Sequence, residues 1–326
     1  MINPKVSIKR NKLVFKEAND LLARHSESIE QEMLLSQFLA GLEEKLGTHS
    51  LPFINIPLVI HSAIKGEERS ASKLAAACLF LYLAADIIDD IADGDFARHW
   101  GDELSSSEGV LASVVFASSI APLAIDDIGI ESQSACLLKT SLSKCVTKMA
   151  AGQQGDLLSK NTLRSTTPEQ VVKNVQGKSG AEIATFALMA AQLAGAEPDV
   201  ANEYMSIFRI IGTSGQIKSD CFELYNPSEG RDLANGTVTL PLAMHFQSLP
   251  EEDKDHFLNL IRLAQHDESA RKRVRNLVAK SGALTQVNSF LKQCKSEAFD
   301  RLHRIEPLEP AATELKQMII TSVAFS

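Results

Sequence analysis

Apolar residues recur along this chain at three- and four-residue intervals, the period of a helix with one buried face. In "SIEQEMLLSQFLAGLEEKLG" Ile29, Met33, Leu34, Phe38 and Leu42 keep that spacing, and Gly47 supplies a stop. The stretch "ASKLAAACLFLYLAADIIDD" is Ala-rich and apolar on nearly every side, which predicts a central helix enclosed by others. "SSEGVLASVVFASSIAPLAI" predicts another, with Pro122 as a break or kink. "SACLLKTSLSKCVTKMAAGQQGDLL", "TPEQVVKNVQGKSGAEIATFALMAAQLAGA" and "DVANEYMSIFRIIGTSGQIKSDCFEL" continue the series. A loop is expected at "NPSEGRDLANGTVTLP", followed by three more helical stretches. No segment sustains the alternation of a strand. No internal repeat and no long Gly/Ser- or Pro-rich linker divides the chain. The expected fold is all-α: one large helical bundle over residues 1–326, of roughly ten helices or more, with residues 1–25 as a peripheral arm.

Composition fits a large core, since 44% of the 326 residues are hydrophobic. The net charge of −8 argues against nucleic-acid binding, which needs a basic footprint. The basic cluster "ARKRVRN" reads as a solvated helix face. Five cysteines, Cys78, Cys136, Cys145, Cys221 and Cys294, are scattered and form no CxxC zinc pattern. That pattern fits reduced thiols in a cytoplasmic protein. The N-terminus lacks a signal-peptide core, and the apolar run from Leu74 to Ile88 is shorter than a membrane span and ends in acids. A soluble protein with no transmembrane segment is expected.

Charge changes the picture at the end of the apolar helix. Asp86, Asp89, Asp90 and Asp93 fall at i, i+3, i+4 and i+7, so they share one face. Like charges at this spacing repel, and acids near a helix C-terminus oppose its dipole. A hard divalent cation, above all magnesium, offsets both effects and often retains bound phosphate. A solvated acidic helix end is the plainer alternative, but the residues before it are too apolar for a surface helix. A calcium-binding EF-hand loop fails, because alignment on Gly94 puts Ile91 and Trp100 at ligand positions.

"GTSGQIKSDCFE" repeats the device, with Gln216, Ser219, Asp220 and Glu223 at i, i+3, i+4 and i+7. Metal sites in helical bundles are built from such faces opposed across the core. In "GQQGD", Gln153 and Asp156 share a face. Lys178 leads an apolar stretch, where it serves either as a helix-end charge or as a grip on a phosphate. Spacing thus points to a divalent-metal site with an anionic, phosphorylated ligand, and leaves the reaction open.

These motifs resemble those of the trans-isoprenyl diphosphate synthases (polyprenyl synthetases), which have the class I isoprenoid synthase fold. "DDIAD" resembles their DDxxD, "GQQGDL" their GQxxDL, and "KSGAEI" their KTG segment. "GTSGQIKSDCFE" resembles GxxFQxxDDxxD, and "GRDLANGTVTLPL" resembles GxDLxxGKxTLPL. The five motifs are colinear. The resemblance implies up to three magnesium ions holding the diphosphate of an allylic prenyl substrate, which ionises to a carbocation. It implies Asp89 and Asp93 as metal ligands with Asp90 supporting them in the metal set, and Asp220 and Glu223 as ligands on the second face. Arg98 and Lys178 would contact the diphosphate, while Gln153, Asp156 and Gln216 would line the site. A homodimer is also implied.

Departures from the family pattern are specific. The family's GGKRxRP motif, which binds isopentenyl diphosphate, aligns with "LPFINIP", so Phe53, Ile54 and Ile56 replace its basic residues. Apolar groups cannot pair with a diphosphate. Of two arginines after DDxxD, Arg98 matches the allylic one and His99 replaces the other. Ser219 takes a metal position held by Asp in the family, Glu223 replaces the last Asp, and Thr237 replaces a Lys. A Ser at a metal position is similar to the second motif of class I terpene synthases. That spacing is not completed here, since Pro227 falls where those enzymes have Glu. The expected function is magnesium-dependent transfer of a prenyl group from an allylic diphosphate to an unidentified acceptor other than isopentenyl diphosphate. The variant pattern resembles bacterial prenyltransferases that modify peptide pheromones. A terpene cyclase and a non-catalytic partner subunit are the alternatives. Small residues Ala84 and Ala85 before the acids leave room for a farnesyl or longer tail.

Overall fold

The structure, a computed structural model, describes residues 4–46, 53–226 and 231–323. Among these residues the chain has seventeen α-helices and no strand, so it adopts the expected all-α class. They are α1 (Pro4–His25), α2 (Ile29–Leu46), α3 (Ile56–Lys65), α4 (Ser72–Asp93), α5 (Phe96–Trp100) and α6 (Ser106–Val115). Next come α7 (Ala121–Asp126), α8 (Ser132–Ser159), α9 (Pro168–Val175), α10 (Ala181–Leu193), α11 (Pro198–Tyr225) and α12 (Asp232–Asn235). The last are α13 (Leu240–Ser248), α14 (Glu251–Ala264), α15 (Glu268–Lys280), α16 (Ala283–Ile305) and α17 (Ala311–Val323). Gly47, the expected stop for α2, lies outside the described residues, as do Leu51, Pro52 and Pro227.

Two features differ from the sequence pattern. At Pro122 the helix does not break. Instead a π-helical turn, Phe116–Ile120, joins α6 to α7, and the Ala121 N–H reaches the Phe116 carbonyl five residues back. Pro122 has no N–H for the ordinary four-residue bond, and widening the turn absorbs that loss. From Leu240 onward there are five helices rather than three. Pro250, the Asp267 side chain that accepts from the Ser269 N–H, and Gly282 in the left-handed region are the punctuation.

By packing, the chain forms two compact units. Unit 1 comprises Met1–Val146, Ala184–Met205 and Arg304–Met318. Its centre is α4, which meets α1, α2, α3, α5, α6 and α7. The α4 residues from Leu74 to Leu81 are buried, and the Phe80 ring stacks on Phe116 with centroids 5.5 Å apart. Residues 4–25, read above as an arm, form α1, which packs on α4 and buries Val14, Ala18, Leu21 and Leu22. The buried Arg10 guanidinium is held by two carboxylates: Nε donates to Glu68 Oε2 at 2.6 Å, and Nη1 to Glu314 Oε2 at 2.6 Å. One helical stretch among the described residues, Ser106–Asp126, is long and apolar enough to cross a membrane by length and composition. Its apolar length exists because the π turn carries the helix through Pro122, and α6 and α7 pack along α4 as core helices do.

Unit 2 comprises Thr147–Ile183, Ser206–His303 and Ile319–Ser326. One apolar cluster joins Leu224 of α11 to Leu242 and Phe246 of α13, Phe257 of α14 and Val274 of α15. A second joins Val171 and Val175 of α9 to Ile217 and Cys221 of α11 and Leu291 of α16. These clusters fix the α11 segment that carries the second acid motif. Burying one Leu or Phe side chain contributes roughly 1.5–3 kcal/mol.

Candidate active site

In unit 1 the first acid face occupies the last two turns of α4. Asp86, Asp89, Asp90 and Asp93 are half-buried, while Ile87 between them is fully buried. The helix stops because Gly94 turns into the left-handed region at φ 75°, which favours glycine. The Gly94 N–H then bonds to the Ile91 carbonyl, and the Asp95 N–H to the Asp90 carbonyl at 2.8 Å. This tight stop sends the chain straight into α5, which carries Arg98 at the surface.

Asp90 is engaged at both oxygens. His99 Nδ1 lies 2.7 Å from Asp90 Oδ1, and Trp100 Nε1 donates to Asp90 Oδ2 at 2.8 Å. The Trp100 ring meets Phe38 edge-on at 5.2 Å. Phe96 fits against Gly109 of α6, where a Cβ would come within 2.5 Å of the ring. From the sequence His99 reads only as a lost arginine, and Trp100 has no role. The signal that could have found them is a pair of N–H donors one turn beyond an acid cluster.

Upstream in the same unit, Ile54 and Ile56 are buried in the core. The Phe53 ring lies over Tyr82 of α4 with centroids 4.4 Å apart. The three positions that replace the basic residues are therefore apolar, while Asn55 between them is buried and donates to Ser7 Oγ at 3.1 Å. Ala84 is buried and Ala85 half-buried on α4.

In unit 2 glycines decide the geometry. The second π-helical turn, Gln176–Gly180, joins α9 to α10. It packs on Gly152 of α8 so closely that a Cβ there would sit 2.6 Å from the Gly177 carbonyl carbon and the Lys178 nitrogen. It meets α11 in the same way, since a Cβ on Gly212 would lie 2.6 Å from the Ser179 carbonyl oxygen. The clasp brings Lys178 Nζ within 3.9 Å of Asp156 Oδ2. It also lets Ser179 Oγ donate to Gln216 Oε1 at 3.0 Å. Gln216 Nε2 in turn donates to Asp220 Oδ1 at 2.8 Å. Gln153 lies one turn before Asp156 on α8, and Ser219 Oγ stands 3.5 Å from Glu223 Oε1. Asn174, not singled out from the sequence, donates to Ser159 Oγ at 3.2 Å and packs against Gly155.

Electrostatics on this face are unbalanced toward negative charge. Desolvation pushes the Asp220 carboxyl up to about 7, and the charges of Glu223 and Asp156 add to the rise. The Gln216 hydrogen bond and the Lys178 charge oppose it. An acid held up in this way ionises when a cation arrives. Among the described residues no three His, Cys, Asp or Glu side chains converge to hold an ion alone. The acids instead stand as helical pairs, the arrangement in which magnesium keeps one or two carboxylates and completes its octahedron with water and substrate phosphate.

Among the charged residues of the cluster "ARKRVRN", Arg275 departs from the expected solvated character. Arg275 is buried; its Nε donates to the Leu224 carbonyl at 2.8 Å and its Nη1 to Glu268 Oε1 at 2.7 Å. It thereby satisfies a carbonyl in the last turn of α11, next to Glu223.

Comparison with known proteins places this arrangement. Residues 55–280 match the polyprenyl synthetase family. The short chain isoprenyl diphosphate synthase of Methanothermobacter thermautotrophicus is 24% identical, over 93% of this chain and 97% of its own. The crystal structure of a geranylgeranyl pyrophosphate synthetase from Pyrococcus horikoshii superposes with a TM-score of 0.83 at 21% identity, covering 99% of this chain and 98% of that one. A geranylgeranyl pyrophosphate synthase from Corynebacterium glutamicum, crystallised with isoprenyl diphosphate and magnesium, gives 0.78 at 17% identity, covering 97% and 98%. With a match over residues 55–280 and the same all-α fold, the chain belongs to the polyprenyl synthetase family.

Proposed function

We propose that this prenyltransferase ionises an allylic prenyl diphosphate with magnesium and passes the prenyl group to an acceptor other than isopentenyl diphosphate. The observation that carries the acceptor reading is the set of apolar side chains Phe53, Ile54 and Ile56, the last two buried, together with a histidine at position 99 that is turned onto Asp90. The apolar side chains offer a second diphosphate no cation, and His99 is already engaged by Asp90.

The donor set suits magnesium: hard carboxylate oxygens in pairs, with one acid held above its usual range by its neighbours. Asp89 and Asp93 would hold metal on α4, with Asp90 in support. Asp220 and Glu223 would do so on α11, with the Ser219 hydroxyl at a third position, for up to three ions. When bound, magnesium neutralises the diphosphate and draws charge onto it as the allylic C–O bond breaks. Lys178 and Arg98 hold diphosphate oxygens as fixed cations. Gln216, oriented by Ser179, donates to Asp220 and favours its ionised form against desolvation, and Gln153 and Asp156 would line the same face. Apolar α4 residues keep water from the allylic cation. Ala84 and Ala85 leave space for a farnesyl or longer tail.

Exposed Val110, Leu111 and Val114 form an apolar strip on α6, which supports a homodimer. Cysteines held as thiols rather than disulfides support a cytoplasmic location. The test incubates the protein with farnesyl or geranyl diphosphate and magnesium, with and without isopentenyl diphosphate. Diphosphate release without chain elongation is expected. An elongated product rejects the acceptor reading, and no release under any condition rejects the reaction.

A further inference from the structure

We infer that His99 and Trp100 are positioning residues that grip the two oxygens of Asp90 and thereby fix α5, with Arg98, at the acid end of α4. The two donors are consecutive residues of α5, and they approach different oxygens at 2.7 and 2.8 Å. Hydrogen bonds to a charged acceptor are among the stronger ones. An isolated helix of five residues does not hold itself together, so α5 needs external anchors. Phe96 against Gly109 anchors its start, and Trp100 anchors its end.

Trp100 does this through both of its faces of chemistry. Its ring is buried edge-on to Phe38, where a Cβ on Gly41 of α2 would meet it at 3.5 Å, while its N–H points at Asp90. Asp90 shares its helix face with Asp89 and Asp93. Each of its oxygens spends a lone pair on α5, so its task is to place the arginine rather than to ligate metal. His99 occupies the position where the resemblance puts a second arginine. In this chain that position serves the internal anchor.

The test uses the full chain with Trp100→Phe, which removes the N–H and keeps an aromatic ring, and with His99→Ala, the two combined, and Asp90→Asn, with Asp89→Asn and Asp93→Asn as controls. The first readout is amide hydrogen exchange over Phe96–Gly101, which needs no substrate. Exchange about tenfold faster in the Trp100→Phe/His99→Ala double variant is expected; unchanged exchange overturns the inference. Should that double variant fail to fold, Asp90→Asn is read by emission, because Trp100 is the only tryptophan. A shifted emission in Asp90→Asn and none in Asp93→Asn supports the grip, and the same spectrum in all three proteins overturns it. The second readout rests on the function proposed above and uses magnesium with inorganic pyrophosphate in calorimetry. Trp100→Phe and Asp90→Asn are expected to weaken binding about tenfold with the ion stoichiometry kept. A lost ion in Asp90→Asn, as in Asp89→Asn, makes Asp90 a ligand and overturns the inference. No pyrophosphate binding by the unaltered protein counts against the proposed function, and exchange then decides the anchor by itself.

Discussion

Gln216 and Asp220 are joined one turn apart on α11, with the amide Nε2 donating to the carboxyl Oδ1 at 2.8 Å. The amide oxygen is already occupied by Ser179, so its orientation is fixed and the N–H is aimed at Asp220. This is the one interaction drawn by uncharged groups that pulls the Asp220 acidity back toward the ordinary range. Gln216→Leu removes it. Catalytic efficiency is expected to fall about tenfold or more, from loss of a hydrogen bond worth roughly 1.5–3 kcal/mol to a charged acceptor. The acid limb of the pH–rate profile should move to higher pH. A profile unchanged in position would reject the role given to this amide.

Asp220 also predicts how stability follows pH. Its folded-state acidity is held up to about 7 by desolvation and by Glu223 and Asp156, above its unfolded value. Between the ordinary carboxylate range and about 7 the folded chain therefore binds more protons than the unfolded one. Without metal, this group's contribution to stability is lost as pH rises through that window. A divalent cation reverses the sign by favouring the ionised acid. The rise in melting temperature on adding magnesium is expected to be larger at pH 8 than at pH 6. Equal shifts at both would count against a metal role for this face.

Arg275 is a stability prediction separate from catalysis. Arg275→Met leaves the Leu224 carbonyl without its side-chain donor and Glu268 with Arg271 as its remaining cation. A loss of roughly 1–3 kcal/mol is expected in chemical denaturation. Arg275→Lys should not restore it, because a single ammonium cannot reproduce the planar fork that reaches both partners.

The glycine clasp gives a paired test. Gly152→Ala drives a methyl into backbone atoms of Gly177 and Lys178 at 2.6 Å, which side-chain movement cannot relieve. Overpacking of this kind costs about 1–3 kcal/mol and shifts Lys178 away from Asp156. Activity and melting temperature should both fall. Gly215→Ala, next to Gln216 but with nothing within 4 Å, should instead leave activity intact and raise stability by about 0.5–1 kcal/mol. Comparable losses in both variants would remove the argument from close approach.

Much of this was legible in the residues, for local reasons. The α4 acid face follows from helical spacing and its end from one glycine, both properties of a few neighbouring residues. Helix breaks after Leu240 were under-read because Pro250, Asp267 and Gly282 lie in stretches whose apolar period continues across them. The π turns were not legible, since a widened turn keeps an ordinary helical composition. Long-range partners were the least accessible. Nothing near Arg275 marks it as the donor to Leu224, and a charge run gives the same pattern whether one member is buried or none is.

The Arg10 ion cluster has a consequence for the order of events on the ribosome. Its two carboxylate partners lie at positions 68 and 314, and unit 1 itself is closed by the late segment Arg304–Met318. Synthesis proceeds at about 5–20 residues per second, so the first helix waits through 304 further residues for its second counter-charge. A nascent chain that has not yet reached Glu314 carries a guanidinium destined for burial with one of its two carboxylates absent. Emergence of the 304–318 segment, rather than of the first 146 residues, is the moment at which this unit closes.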